Sequence, residues 1–302
     1  MTAAPPADPL ETASPGDSPG GLDLGDVQQT LLVPLWCRAA ETRSRYSILR
    51  DPAAVEIADR LRQTHGDAFA HFNRRALQSR VGLALRTIQF DDWARGFLAR
   101  HPGGTVAEVG VGLNTRMERV APDGPSHWLE LDLPDVMAVR KRFFAPSDRR
   151  TMLAGSVLEP DWVDRLLDLP PPYHVSIEGV LTYLPEADVR RLFDVLGERL
   201  AGAGLAFDAL TPRGVAAQHR HDTLKHFDAR FDWGVEDVRT VADWRPELTC
   251  EDAVTLKEIA VRNVHRMPWF LKLVGLAMST LRRNSVRDYW LAKFEVHQSR
   301  AR

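Results

Sequence analysis

The chain has 302 residues, of which 44% are hydrophobic, and its formal net charge is −2. This length and apolar content allow one large α/β domain or two small ones, and the small net charge excludes a general attraction to nucleic acid. Two cysteines, Cys37 and Cys250, stand far apart and in no metal-binding spacing. They exclude a disulfide framework, and we expect a reducing, cytoplasmic setting and no metal site.

The first residues differ in composition from the rest of the chain. Residues 1–25 are rich in Pro, Gly, Ala and Asp and hold no Lys or Arg, unlike the basic start of a signal peptide. We predict a disordered tail there, followed by a single domain over residues 26–302. Residues 26–100 show helical periodicity and are expected to form an N-terminal helical cap. No apolar run approaches the roughly 20 residues of a membrane span, so no membrane partner is expected.

The pattern of hydrophobic residues changes after residue 100. Through 101–210, short apolar runs alternate with helical patterns: TVAEV, HWLEL, TMLAG, YHVSIE and GLAFDAL. Strands separated by crossover helices form a parallel sheet covered on both faces, so we predict a Rossmann-like, doubly wound α/β fold with a cofactor-binding core here.

The last third of the chain completes the predicted sheet. Residues 211–246 are polar and too long for a simple connection, which favours a helical insertion after strand 5, called the lid segment below. Residues 247–302 predict two more strands, LTCEDAVTLKEI and YWLAKFEV, which make the sheet seven-stranded and mainly parallel. Between them, an amphipathic helix over 268–283 carries an apolar stripe that belongs either to the core or to a homodimer surface.

The stretch VAEVGVGLNTR, residues 106–116, places Gly110 and Gly112 between a strand and a helix. Glycines there let the backbone turn sharply and let a ligand approach where a Cβ would clash. A dinucleotide-binding loop would carry a third glycine where this chain has Thr115, which argues against NAD but not against a nucleoside. A plain strand-to-helix turn is the alternative.

Asp132 ends the next predicted strand, in WLELDLPDV. It follows Gly110 at about the 20-residue distance of an acid that accepts hydrogen bonds from both ribose hydroxyls. Pro134 is expected to begin the next helix. Asp132 is therefore either a ribose ligand or a cap of that helix, and its spacing from the glycine loop favours the ribose.

Four segments carry a family resemblance: ALRTIQFDDWARGFL, VAEVGVGLNTR, WLELDLPDVMAVRKRFF and SIEGVLTYLPEADVRRLF. They resemble motifs of the leucine carboxyl methyltransferase family, and more closely its bacterial branch of polyketide O-methyltransferases of the tetracenomycin type. The resemblance covers roughly residues 80 to 200 in register. It implies a class I methyltransferase that uses S-adenosylmethionine.

The resemblance also implies which residues bind the cofactor. Arg86 would hold the cofactor's carboxylate, a role that suits a planar guanidinium, although a surface or ion-paired helix residue is the alternative. Ser156 stands where many relatives have an acid. The complete set of implied cofactor-binding residues is Arg86, Glu108, Gly110, Gly112, Asp132, Ser156, Val157, Glu178 and Gly179.

Catalytic residues are less defined by the sequence. A methyl acceptor must lie in line with the S–CH3 bond; a carboxylate needs no base, whereas a phenol benefits from one. Tyr183, after the fourth strand, either faces the transferable methyl or is a core aromatic. His219, His221 and His226 in the lid segment are candidate bases, or members of a solvated helix face.

We therefore expect an O-methyltransferase that acts on a carboxyl or phenolic hydroxyl of a small secondary metabolite. Two alternatives stay open: methyl esterification of a protein C-terminus, and a nucleotide-binding module without turnover. The sequence contains no G-x-S-x-G elbow, P-loop or H-E-x-x-H motif, so it gives no support to a hydrolase or an NTPase.

Overall fold

The computed structural model describes residues 31–65, 77–218, 230–266 and 288–298. These residues form a seven-stranded sheet. The strands are β1 Thr105–Val109, β2 His127–Asp132, β3 Arg150–Ala154, β4 Tyr173–Ile177, β5 Gly204–Leu210, β6 Leu248–Thr255 and β7 Tyr289–Val296. Their order in the sheet is β3-β2-β1-β4-β5-β7-β6. Strands β1 to β5 run parallel, and β7 is antiparallel to both β5 and β6. The predicted doubly wound, mainly parallel sheet is confirmed.

Helices connect the strands and cover the sheet. They are α1 Leu32–Thr42, α2 Pro52–His65, α3 Leu77–Arg100, α4 Arg116–Val120, α5 Pro134–Arg140, α6 Asp161–Leu167, α7 Glu186–Arg199, α8 Pro212–Ala216 and α9 Leu256–Arg262. Short 3-10 turns at Leu181–Tyr183, Val238–Trp244 and Val264–Arg266 supplement them. Helix α5 begins at Pro134, as predicted.

The core lies on both faces of the sheet because alternate strand residues point in opposite directions. Strands β1 and β4 are buried along their whole length, as is typical of central parallel strands. In β5, Phe207 packs in the cluster that contains Phe193 of α7, whereas Ala206 packs in the cluster that contains Ile88 of α3. A third cluster joins the cap helices α1 and α2 to α5.

The prediction that LTCEDAVTLKEI is one strand is wrong in its second half. Strand β6 ends at Thr255, and α9 begins at the next residue. The Thr255 side chain accepts a hydrogen bond from the Glu258 N–H, and the Glu258 carboxylate accepts one from the Thr255 N–H. This capping box satisfies two free N–H groups at the helix start and so ends the strand.

The lid segment is only partly helical in its described residues. Residues 230–237 are irregular between α8 and the 3-10 turn Val238–Trp244, so the prediction of a helix is wrong there. The Trp233 side chain is buried. The backbone N–H groups of Asp232 and Trp233 both donate to the Thr182 carbonyl instead of to a carbonyl one helical turn earlier. Burial of this indole against the sheet therefore prevails over local helix propensity.

Some predictions lie outside the described residues: the tail over 1–25, the helix over 268–283, and the candidate bases His219, His221 and His226. Within the described ranges, no helix is long and apolar enough to cross a membrane.

Candidate active site

The carboxyl ends of the parallel strands meet at one edge of the sheet, called the carboxyl edge below. Strand order reverses between β1 and β4, and ligands of open α/β sheets bind at such a switch point. The structure brings the glycine loop after β1, Asp132 at the end of β2 and Glu178 after β4 to this edge. It is therefore the candidate active site.

The glycine loop needs its two glycines for backbone reasons. Gly110 and Gly112 have φ of +66° and +50°, in the left-handed region that favours glycine. A Cβ on Gly110 would lie 2.1 Å from Val180 Cγ2, so the loop packs directly against the segment after β4. At Gly112, the nearest atom to such a Cβ is Leu31 Cβ at 3.5 Å, an ordinary contact. Gly110 thus permits close packing within the protein, and Gly112 supplies the turn.

Thr115, at the place of the missing third glycine, has a structural function. Its buried hydroxyl lies 2.6 Å from Asp51 Oδ2 and donates a hydrogen bond to it. Asp51 lies just before α2, in the cap, and its other oxygen accepts the Ala54 N–H at 3.0 Å. The side chain that replaces the glycine therefore ties the loop to the helical cap.

Asp132 holds the glycine loop from the neighbouring strand. Its Oδ2 accepts the Gly112 N–H at 2.6 Å, and its Oδ1 accepts the Leu133 N–H at 2.8 Å. The alternative that Asp132 caps helix α5 is wrong, because the N-cap is Leu133 and it has no side-chain cap. Each carboxylate oxygen carries two lone pairs, so the half-buried carboxylate can still accept hydrogen bonds from a ligand.

Glu178, at the end of β4, is an ionised acid between two arginines. Its Oε1 accepts from Arg86 Nε at 2.8 Å, and its Oε2 accepts from Arg116 Nη2. Burial works against the charged form, but Arg86 and Arg116 prevail and lower the pKa of Glu178 to about 2. The carboxylate thus keeps its negative charge across the physiological range.

Arg116 was missed by the sequence analysis although it ends the glycine stretch. Its guanidinium, 1% exposed, binds three carboxylates: Asp91 at 3.0 Å, Glu108 and Glu178. The second oxygen of Glu108 accepts from Asn114 Nδ2 at 3.0 Å. Glu108, expected to line the cofactor pocket, therefore lies buried beneath the loop with both oxygens paired.

The ion pairs continue from the carboxyl edge to the cap. Arg119 donates from Nε to Asp91 Oδ2 and from Nη1 to Asp51 Oδ2, both at 2.8 Å. Arg38 of α1 also binds Asp51, at 2.9 Å. In the sequence, the spacing of Arg116 and Arg119 places both on one face of a helix, but it does not indicate which carboxylates they bind.

Arg86 is ion-paired, as the alternative interpretation proposed, and yet one nitrogen is available. Nε donates to Glu178, and Nη1 donates to the Tyr289 hydroxyl at 2.8 Å and, at 3.4 Å, to Asp208 Oδ2. Nη2 donates to no group in the part of the chain that the structure describes. A ligand carboxylate at the carboxyl edge could therefore bind Nη2 without breaking these contacts.

The remaining candidates lie around the same edge. Gly179, with φ of +71°, donates its N–H to Asp208 Oδ1 at 2.7 Å. After β3, the Ser156 hydroxyl accepts the Leu158 N–H, and the Val157 carbonyl accepts from the Trp162 indole. The ring of Tyr183 is half-buried, 5.2 Å from the ring of Phe231 in the lid segment. The roles given to these residues stay predictions. Over the four described ranges, no group of His, Cys, Asp and Glu could hold a metal ion.

Comparisons with known proteins identify what the chain is similar to. The family model described as leucine carboxyl methyltransferase matches residues 32–197. The tetracenomycin polyketide synthesis O-methyltransferase TcmP of Streptomyces glaucescens is 30% identical over 229 residues, which are 76% of this chain and 83% of the relative. The S-adenosyl-L-methionine-dependent methyltransferase dpfgK of Gibberella zeae is 24% identical over 250 residues, 76% of this chain and 82% of the relative. A solved duf574 family protein of Streptomyces avermitilis is 14% identical, with a TM-score of 0.49 over 86% of this chain and 96% of that chain.

Proposed function

The chain belongs to the leucine carboxyl methyltransferase family of S-adenosylmethionine-dependent methyltransferases, and from that premise we propose that it methylates an oxygen of a small secondary metabolite. The acceptor is a carboxyl or a phenolic hydroxyl of a polyketide-like molecule. The observation that carries this proposal is the identity of 30%, over 76% of the chain, with a relative named as a polyketide O-methyltransferase.

The residues at the carboxyl edge fit the cofactor. The left-handed turn at Gly110 and Gly112 holds the loop backbone at this edge, the half-buried Asp132 carboxylate retains lone pairs for ribose hydroxyls, and Arg86 Nη2 is available for the carboxylate. In this proposal Glu178 and Gly179 would close the pocket over the cofactor, and Ser156 and Val157, which follow β3, would contact the adenine. When bound, the cofactor supplies an electrophilic methyl group on a sulfonium.

The charge of the site also suits this cofactor. The buried ion pairs that run from the carboxyl edge to the cap contain one carboxylate more than guanidinium groups, five against four. The members are Asp51, Asp91, Glu108, Glu178, Asp208, Arg38, Arg86, Arg116 and Arg119. The exposed Arg95 also binds Asp91, and the exposed Asp92 balances its charge. Burial raises the pKa of Glu108 and of Asp208 and so works against this excess. With all five carboxylates ionised, the excess of negative charge favours a ligand with a net positive charge, as a sulfonium with a zwitterionic tail has.

Two aromatic residues border the acceptor in this proposal. Tyr183 lies five residues after Glu178 in the sequence. Its ring contacts the ring of Phe231, which belongs to the lid segment. Their faces suit a flat aromatic acceptor, because offset or edge contacts between rings are favourable. A carboxylate acceptor requires only that these residues orient it and exclude water; a phenolic acceptor also requires a base.

The experiment combines cofactor binding with identification of the product. Calorimetric titration with S-adenosylhomocysteine is expected to show binding, and S-adenosylmethionine with a deuterated methyl group is then incubated with mixed aromatic acids and phenols. Mass spectrometry before and after mild alkali separates the two oxygen classes, because methyl esters hydrolyse and aryl methyl ethers do not. A peptide ending in a leucine carboxylate serves as the comparison substrate. Labelling of the peptide alone would contradict the proposal.

A further inference from the structure

Two residues, Asp208 and Tyr289, lie behind Arg86, and apart from the charge of Asp208 the function described so far assigns no role to either of them. Asp208 lies near the carboxyl end of β5, and Tyr289 is the first residue of β7. Because β5 and β7 are antiparallel, the start of β7 lies at the carboxyl edge, where Tyr289 pairs with Leu210. Residues two apart on a strand share a face, so Asp208 and Tyr289 project to the same side of the sheet.

The Asp208 carboxylate is fully buried and accepts three hydrogen bonds. Oδ1 accepts the Gly179 N–H at 2.7 Å, and Oδ2 accepts the Tyr289 hydroxyl and the more distant Arg86 Nη1. The Tyr289 hydroxyl accepts from Arg86 Nη1 at 2.8 Å, so its own proton must point to Asp208. Burial raises the pKa of Tyr289 well above its usual range, which keeps this proton in place although Arg86 opposes the effect.

These contacts fix the orientation of the Arg86 guanidinium. Nη1 is held by Asp208 and Tyr289, and Nε is held by Glu178. Nη2 is left without a partner among the described residues, and the guanidinium packs on the left-handed turn at Gly179, where a Cβ would lie 3.3 Å from Nη1 and 3.6 Å from Nη2. A guanidinium is planar, so two fixed nitrogens determine the direction of the third.

We propose that Asp208 and Tyr289 are positioning residues that hold Arg86 with Nη2 directed at the carboxylate of the cofactor. This role rests on the proposed function, in which Arg86 binds that carboxylate. A guanidinium held in place beforehand loses less rotamer freedom when the ligand binds, so its contribution to affinity is larger. Tyr289 contributes no contact to the cofactor itself.

The test compares two ligands that differ in the carboxylate. S-adenosylhomocysteine has the amino-acid tail, whereas 5′-methylthioadenosine has the same nucleoside and no carboxylate. Tyr289→Phe removes only the hydroxyl, and we expect it to weaken S-adenosylhomocysteine binding about tenfold, as for the loss of a hydrogen bond to a charged group. Binding of methylthioadenosine should stay at the wild-type value. Asp208→Asn, which keeps the shape of the side chain, should show the same selective loss.

Tyr173→Phe is the matched control. The Tyr173 hydroxyl donates to the Leu169 carbonyl at 3.0 Å, at the start of β4 and therefore at the opposite edge of the sheet. This variant should bind both ligands as the wild type does. In an Arg86→Met background, adding Tyr289→Phe should weaken S-adenosylhomocysteine binding no further, because the group to be positioned is gone.

Three other outcomes would overturn the proposal. Equal weakening of both ligands by Tyr289→Phe, in protein with a wild-type circular dichroism spectrum, would show a merely structural role and overturn the proposal. Unchanged binding of S-adenosylhomocysteine would overturn it as well. If the wild type bound neither ligand, the proposed function would fail first, and the positioning role would fail with it.

Discussion

Thr115 and Asp51 join the loop that follows the first strand to the helical cap, through a hydrogen bond of 2.6 Å between two buried side chains. A dinucleotide-binding loop would have glycine at this place. Here threonine replaces the third glycine, and its hydroxyl donates a hydrogen bond to the Asp51 carboxylate. Asp51 also binds Arg38 and Arg119. The departure from the glycine pattern is therefore part of the contact between the cap and the cofactor-binding core.

Removal of the Thr115 hydroxyl should destabilise the protein. Thr115→Val keeps the volume of the side chain but leaves the buried Asp51 carboxylate with one donor fewer, which costs about 1–3 kcal/mol. Thr115→Ser retains the hydroxyl and is the control. The free energy of unfolding from urea titration measures both variants. A Thr115→Val value equal to that of Thr115→Ser would contradict a structural role of this hydrogen bond.

Gly110→Ala should be far more destabilising than another glycine replacement at positive φ. The new Cβ would lie 2.1 Å from Val180 Cγ2, and the backbone has φ of +66°. Gly202 has φ of +86°, but a Cβ there would meet no atom within 4 Å. Gly202→Ala therefore measures only the cost of placing a residue with a Cβ at positive φ, about 1 kcal/mol. We expect Gly110→Ala to lower the thermal midpoint much further, and equal midpoints would refute the packing argument.

The sheet could be predicted from the sequence because its signals are local. The apolar runs around Val106 and Val175 have the length and composition of buried strands, and Pro134 sets the start of a helix. The position of Asp132 at the end of β2 could also be predicted locally, from the strand pattern and the distance to Gly110 along the sequence. Where prediction failed, a contact prevailed over the local pattern: the capping box at Thr255 and the burial of Trp233.

The ion pairs of the site could not be predicted, because they join residues remote in sequence. Arg116 binds Asp91 of α3 and Glu178 after β4, and neither spacing has any meaning before the chain is folded. Arginine is also a surface residue in most contexts, so composition alone gives Arg116 an exposed position. Burial of a guanidinium becomes favourable only when carboxylates from several elements surround it.

His174 should make stability depend on pH. Its ring is fully buried against Phe97, and both ring nitrogens lack a hydrogen-bond partner among the residues that the structure describes. Burial lowers its pKa from 6.5 to about 3. Between these values the unfolded chain binds a proton that the folded protein does not. The contribution of His174 to the free energy of unfolding is therefore complete above about pH 6.5. Below that value it decreases by about 1.4 kcal/mol for each unit by which the pH is lowered.

His174→Phe should remove this contribution, since phenylalanine cannot be protonated and can pack against Phe97. The measurement is the free energy of unfolding of both proteins from pH 7.5 to pH 4.5. The difference between the two curves should grow in favour of the variant as the pH falls. Parallel curves would show that His174 does not titrate differently in the folded and unfolded states.

Asp132→Ala should weaken binding of the whole nucleoside and not only of its amino-acid tail. The variant loses the acceptor that we propose for the ribose hydroxyls, and it also loses the carboxylate that accepts the Gly112 N–H at 2.6 Å. We expect affinity for both S-adenosylhomocysteine and 5′-methylthioadenosine to fall about tenfold or more, the loss of hydrogen bonds to a charged group. Asp135→Ala is the control, because among the described residues the nearby Asp135 carboxylate binds only the Val136 N–H, at 2.9 Å. Calorimetry that finds methylthioadenosine binding unchanged in Asp132→Ala would remove Asp132 from the ribose site and leave it as a support of the loop.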